Sequence, residues 1–562
     1  MFKRVLLTAL LSTFLFSCQQ KPESDISYEI SSVTVDSIPQ LKIKMTLAAD
    51  KDGTTTLSFP DEAWGEEGLY NSLGKMQLLN VEGAVEKDAD SSRIVLMHPK
   101  NVKKLVFEYH LKQDFDGDIT TKEIYRPIIN NDYFHLFSHN MFMIPEDASD
   151  SDAMDILLDW TFLPEEYTVH NSFGSKEKVQ LLKNQNIGLF GSAIFVGGDF
   201  RVFHGEIAGN KISLATRGKW IPFTDEEVFK VLEETLTYQR NFWNDHSQKY
   251  FTVTMQPFPQ ENGSSFQGTG LTNSFATSVS NNDHTDIGQM VYLFNHELMH
   301  NWIGHTIKND NEEEQYWFSE GFTEYYTFKN IAKNKINGLD GTFFIEELNR
   351  TIRNLYASSV VEAPNVEVNY DNFWTNYEYS KLPYWRGAIF GFYLDQKIQR
   401  ISSGSKSLDD VMHQIYTDAT GKDQKLTHDY FIGVMDTFWD NDFETVFQKH
   451  IEEGQKVDLV ALFDELGLDY RPESDIYELG FEFTEDRKGI ANVVEGSQAW
   501  QAGVRESDKV FSRSVWQGQI DHEVELGLER DGEKFNITFY PVTKAAVPQL
   551  KSTPENVEKL AF

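Results

Sequence analysis

His296, Glu297 and His300 stand in the order His-Glu-Leu-Met-His. In a helix, residues four apart lie on one face, so both imidazoles can reach a single metal ion. This is the spacing of zinc peptidases. Glu297, beside the first histidine, can approach a zinc-bound water and take its proton as general base while the water attacks a peptide carbonyl. The helix is otherwise apolar on most faces, and two imidazoles and a carboxylate set there need partners to offset desolvation. Glu320, in Trp317-Phe318-Ser319-Glu320-Gly321, follows after a loop-length gap and opens a second helical stretch. As a third ligand it leaves the fourth zinc position open, which a catalytic site requires. Glu324, one turn further on, is placed to orient a ligand histidine through its other ring nitrogen. The flanking Trp317, Phe318, Phe322, Tyr325 and Tyr326 argue against a merely solvated acidic face. A donor for the developing oxyanion is also needed; Tyr379, Tyr384 and His305 are all candidates, and spacing alone does not choose among them.

These residues need a scaffold. From Ile26 to about Leu214 short runs alternate apolar and polar residues, as half-buried strands do. From Pro222 the pattern turns helical: Thr224 followed by Glu227 is a capping-box signature at the head of an amphipathic helix, and QMVYLFNHELMHNWIGH and WFSEGFTEYYTFKNIAK read as two further helices. After Arg471 short strands return around one short helix. The expected organisation is a multidomain α+β chain: residues 1–17 a signal peptide, 18–25 a tether, 26–220 an antiparallel, sandwich-like β domain, 221–470 a mostly helical catalytic domain, and 471–562 a small terminal domain. A chain of 562 residues is too long for one core. The 87 acidic and 51 basic residues give a net charge of -36, which would repel a phosphate backbone and excludes nucleic acid as a partner.

The chain begins with Lys3 and Arg4, a short apolar stretch from Val5 to Phe16, and then Ser17-Cys18. The apolar run is short for a permanent membrane helix and reads as an export signal. Cys18 is the one cysteine, so no disulfide framework forms. The Leu15-Phe16-Ser17-Cys18 ending resembles a bacterial lipoprotein signal, which implies cleavage before Cys18, a lipid on that residue, and attachment to a membrane, expected to be the outer membrane.

The catalytic motifs resemble those of the glycyl aminopeptidase family, in the gluzincin group of metallopeptidases. His296 to His300 is followed by Asn301-Trp302, and Trp317-Phe318-Ser319-Glu320-Gly321-Phe322-Thr323-Glu324-Tyr325-Tyr326 matches the family's second segment. The resemblance implies a thermolysin-like domain hydrolysing peptide or protein substrates, with His296, His300 and Glu320 holding one zinc ion per chain and Glu297 as the base. Pro383-Tyr384-Trp385-Arg386-Gly387 matches the context of the group's oxyanion-stabilising tyrosine, with Arg386 in place of a lysine, and so selects Tyr384. Leu394-Asp395 and the segment from Ser407 to Met412 resemble the same helical region. Family members carry a terminal PDZ domain; Tyr477-Glu478-Leu479-Gly480-Phe481 resembles its peptide-binding loop, with Leu479, Gly480 and Phe481 expected to receive a peptide C-terminus by strand addition. Where the family has Gly-Leu-Glu-His in its substrate-binding segment, this chain has Gly270-Leu271-Thr272-Asn273. Thr272 cannot supply the charge that holds a free ammonium, so an endopeptidase of the same mechanism is the alternative to an aminopeptidase, and a non-catalytic peptide-binding scaffold is the other.

Overall fold

The computed structural model describes residues 22–88, 91–175, 177–440 and 442–560; the signal segment and Cys18 lie outside them. The chain forms two compact units. The first comprises the described residues up to Phe203 with Ser213–Lys219 and Tyr250–Ser280; the second comprises His204–Ile212, Trp220–Lys249 and the chain from Asn281 onward.

The first unit is built of sheets. Six strands hydrogen-bond in the order Val179–Asn186, Ala153–Phe162, Ile26–Val35, Ile38–Ala48, Lys104–Lys112 and Leu73–Leu78, beside two four-stranded sheets. Alternate residues of these strands, among them Tyr28, Ile30, Ile43, Met45, Phe107 and Tyr109, are fully buried in one core with Leu57, Ile94, Leu96 and Trp160. The expectation of purely antiparallel pairing is corrected here. Ile26–Val35 runs parallel to Ala153–Phe162, and Tyr250–Phe258 runs parallel to Ser274–Ser280. A half-buried strand alternates with period two whichever way its neighbour runs, so the sequence pattern carries no direction.

The second unit is mainly helical. Helix α1 (Asp225–Trp243) starts with the expected reciprocal cap between Thr224 and Glu227. Helix α2 (Ile287–Met299) is capped by Asp286 and ends with His300 in the capping position, earlier than its apolar pattern suggests. Helices α3 (Glu312–Ser319) and α4 (Gly321–Asn334) meet at Glu320, where the sequence reads as one helix. Helices α5 (Gly341–Ala357), α6 (Tyr377–Ile401) and α7 (Leu408–Lys422) complete the frame. Buried polar contacts fix it. The Asn295 amide donates to Thr235 of α1 at 3.0 Å and accepts from Asn330 of α4 at 2.6 Å. Lys329 of α4, 3% exposed, donates to Asp395 of α6 at 2.8 Å and to Asp409 of α7 at 2.7 Å.

Within this unit the terminal segment has its own small core of Phe481, Ile490, Val504, Leu526, Leu528 and Phe539. It is rooted in the helices: Asn349 of α5 exchanges two 2.8 Å hydrogen bonds with the backbone of Leu550, and Val547, Leu550 and Leu560 join the helical core. Among the described residues, no helix is long and apolar enough to cross a membrane.

Candidate metal centre

His296 and His300 leave the last turn of α2 on the same face, their ring centroids 5.0 Å apart. Each ring has its Nδ1 engaged: His296 with Glu324 Oε2 at 3.2 Å, His300 with the Ile303 carbonyl at 3.1 Å. Those acceptors require Nδ1 to carry a proton, so Nε2 is the nitrogen that would meet a metal ion. Both Nε2 atoms face Glu320 Oε2, at 3.4 Å and 3.7 Å. That oxygen is buried and accepts no hydrogen bond, a costly state for a carboxylate without a cation. The three donor atoms lie within 4.8 Å of one another. Two neutral imidazoles and a carboxylate fit zinc, and a cation there would satisfy the orphaned oxygen.

The electrostatics agree. Burial alone would lower the His296 imidazole, but Glu320 and Glu324 beside it raise it to about 10. Burial alone would raise Glu320, but the His296 and His300 imidazoles bring it down to about 2. Without a cation the extra proton of His296 sits on Nε2, facing Glu320, and a metal ion would replace it; either way the pocket holds positive charge.

Around the donors, Glu324 is 7% exposed on α4. Glu297 is half-buried on α2 and acts electrostatically on both His296 and Tyr384. Tyr384 stacks on the His296 ring at 5.8 Å, and its hydroxyl lies against Glu320. Burial first, then Glu320, raises that hydroxyl well above the ordinary tyrosine value, so it is a proton donor and not a phenolate. Of the rival donors, Tyr379 gives its hydroxyl to Glu367 at 3.0 Å, and His305 is exposed in the turn after α2. Arg386 does not face this group; its guanidinium is buried against the Val361 and Ala363 carbonyls.

Sequence reasoning missed Tyr292. One turn before His296, it stacks on that imidazole at 6.0 Å and donates to Glu324 Oε2 at 2.5 Å. His296 thus has Tyr292 and Tyr384 as near-parallel neighbours, at interplanar angles of 17° and 18°. The spacing of four from His296 was the available signal.

Other expected residues lie elsewhere. Gly270 and Leu271 end the strand Phe266–Leu271, and Thr272 and Asn273 make the turn into Ser274–Ser280, with Asn273 at φ 51°. They belong to the first unit, whereas the metal group belongs to the second. Leu479 and Phe481 pack on the small terminal core, and Gly480 turns past Ser497 with φ 79°.

Residues 225–432 match the family described as the peptidase family M1 domain, a span that runs from the start of α1 past α7. The chain is a metallopeptidase. The peptidase also shares its fold with an aminopeptidase N family protein from Idiomarina loihiensis, with a TM-score of 0.70 at 16% identity over 96% of this chain and 100% of that one. Weaker likenesses are to a two-domain M1 zinc metallopeptidase mutant bound to L-tryptophan (TM-score 0.44, 11% identity, 78% and 95% of the two chains) and to native yeast LTA4 hydrolase (TM-score 0.40, 11% identity, 78% and 70%). No curated protein is detectably similar in sequence.

Proposed function

We propose that this metallopeptidase hydrolyses peptide bonds in an aminopeptidase-like reaction of the glycyl aminopeptidase type, with one zinc ion per chain. The observation that carries the reading is the convergence of His296 Nε2, His300 Nε2 and the orphaned Glu320 oxygen within 4.8 Å. Zinc held there supplies Lewis acidity toward the scissile carbonyl. Glu297 takes the proton of the attacking water and returns it to the leaving amine. The Tyr384 hydroxyl donates to the oxyanion as charge develops. Glu324 keeps the His296 proton on Nδ1, supported by the Tyr292 hydroxyl.

The absence of charge at Thr272 favours a second reading, an endopeptidase of the same mechanism. Cleavage maps decide between them: zinc-loaded protein is incubated with a mixed peptide library, and every cut is read by mass spectrometry, with a chelator as control. Cuts at free N-termini support the aminopeptidase, internal cuts the endopeptidase, and no cut overturns both.

On the same reading the exported chain is anchored by lipid on Cys18 in the outer membrane. The terminal segment, with its own core of short strands around the helix Gln498–Ala502, is PDZ-like, and its Leu479-Gly480-Phe481 loop receives a peptide C-terminus.

A further inference from the structure

Residues 515–523 link two strands of the terminal segment, Lys509–Ser514 and Val524–Arg530, and contain no helix or strand of their own. The loop is not turned toward the terminal core alone. Its contacts reach the approach to α2, helix α5 and the head of α6. The Trp516 ring lies 5.9 Å from the ring of His284, just ahead of α2. At Gly518 an added Cβ would stand 3.7 Å from the Asn354 side chain of α5 and 3.8 Å from the hydroxyl of Tyr377, the first residue of α6. Gln517 accepts from Tyr477 at 3.3 Å, which ties the loop to the terminal sheet. The Asp521 charge acts on Arg350 and Arg353 of α5, and Arg350 in turn acts on Tyr292 and Glu324 beside the metal group. The loop therefore spans from the approach of α2 to the head of α6.

A peptide bond cleaved at this site must lie between α2, which supplies Glu297, and α6, which supplies Tyr384. A segment that touches the approach to α2 and the first residue of α6 is placed to close one end of a groove between them. We propose that residues 515–523 form the end wall of that groove, so that a peptide enters by one of its termini and cannot run through. This rests on the peptidase reading of the metal group. It provides selectivity for chain ends by exclusion and requires no ammonium-binding carboxylate at Thr272. Trp516 supplies the bulk, and the Asp521 charge favours the loop's place beside the two arginines.

The test compares linear peptides with the same sequences joined head to tail, which have no terminus. Zinc-loaded full-length protein is assayed as wild type, as Trp516→Ala with Asp521→Ala, and with residues 516–522 replaced by a short glycine-serine turn; the point variant guards against misfolding of the shortened loop. Wild type is expected to cut the linear peptides near one end and to spare the cyclic ones, and both loop variants to raise the cyclic-to-linear turnover ratio by about tenfold or more. Cyclic peptides cut by wild type as readily as linear ones, or a ratio unmoved in both variants, overturns the inference. If wild type cuts no peptide at all, it is the peptidase reading that fails, and the wall is then judged by calorimetric binding of the same peptides. A preference for linear over cyclic peptides that both variants lose sustains it, and equal binding by wild type overturns it.

Discussion

Gly321 and Gly387 touch backbone to backbone where α4 crosses α6. A Cβ on Gly321 would lie 2.4 Å from the Gly387 Cα, and one on Gly387 would lie 2.1 Å from the Trp317 carbonyl oxygen. The two glycines directly follow the motif residues Glu320 and Arg386, and their contact sets the separation between Glu320 and Tyr384. Gly387→Ala is expected to cost about 2–3 kcal/mol of stability, at the upper end for an overpacked site because the obstacle is backbone. Its effect on turnover should exceed what the fraction unfolded explains. Urea denaturation and kcat on one short amide check the two parts.

Tyr292 and Tyr384 flank the same imidazole with different consequences. Tyr292→Phe removes the donor that fixes Glu324, and is expected to weaken zinc binding about tenfold, the lower end for a lost supporting hydrogen bond. Tyr384→Phe should leave zinc affinity near wild type and lower kcat by about 10²–10³. Competition with a chelating dye and steady-state kinetics separate these outcomes.

Lys329 is buried between Asp395 and Asp409, with Tyr325 also donating to Asp395 at 2.5 Å. Lys329→Met leaves buried Asp395 without a cation and Asp409 with Lys333 alone, at 3.6 Å, and is expected to cost about 3–5 kcal/mol. Burial alone would raise Asp409, but Lys329 holds it below the ordinary 3.8; burial alone would lower Lys329, but the two aspartates hold it above 10.5. The Asp409 contribution is therefore complete above 3.8 and lost as pH falls through its folded value. The Lys329 contribution is complete below 10.5 and lost as pH rises through its own. The gap in denaturation midpoint between wild type and variant should be widest across the neutral range and close toward acid.

The terminal segment is part of the helical core. Truncation after Ala545 removes Val547, Leu550 and Leu560 and leaves the Asn349 side chain without its two backbone partners. Each lost apolar side chain is worth about 1.5–3 kcal/mol. The truncated protein should unfold at a lower temperature and lose activity together with structure, as calorimetry and an amide assay on the same sample would show.

Much of the metal group was legible in the sequence because it depends on helical spacing. His296 and His300 share a face by periodicity, Glu320 and Glu324 likewise, and Thr224 with Glu227 marks a helix start that forms as expected. What spacing could not give was contact between distant segments. By spacing alone Tyr384, Tyr379 and His305 are equivalent; the motif resemblance selects Tyr384, whose ring lies on His296, while the Tyr379 hydroxyl bonds Glu367. Strand direction escaped for the same reason, since Ile26–Val35 meets Ala153–Phe162 across more than a hundred residues of chain. The position of residues 515–523 escaped too, because nothing local to a polar loop says which helices it rests on.

The central claim is that Glu297 moves the proton during zinc-dependent peptide hydrolysis. The most direct measurement is kcat of Glu297→Gln against wild type on one short peptide amide, with zinc content matched. The account predicts equal zinc, a similar KM, and a kcat lower by about 10²–10⁴. Turnover within a small factor of wild type at equal zinc would contradict it.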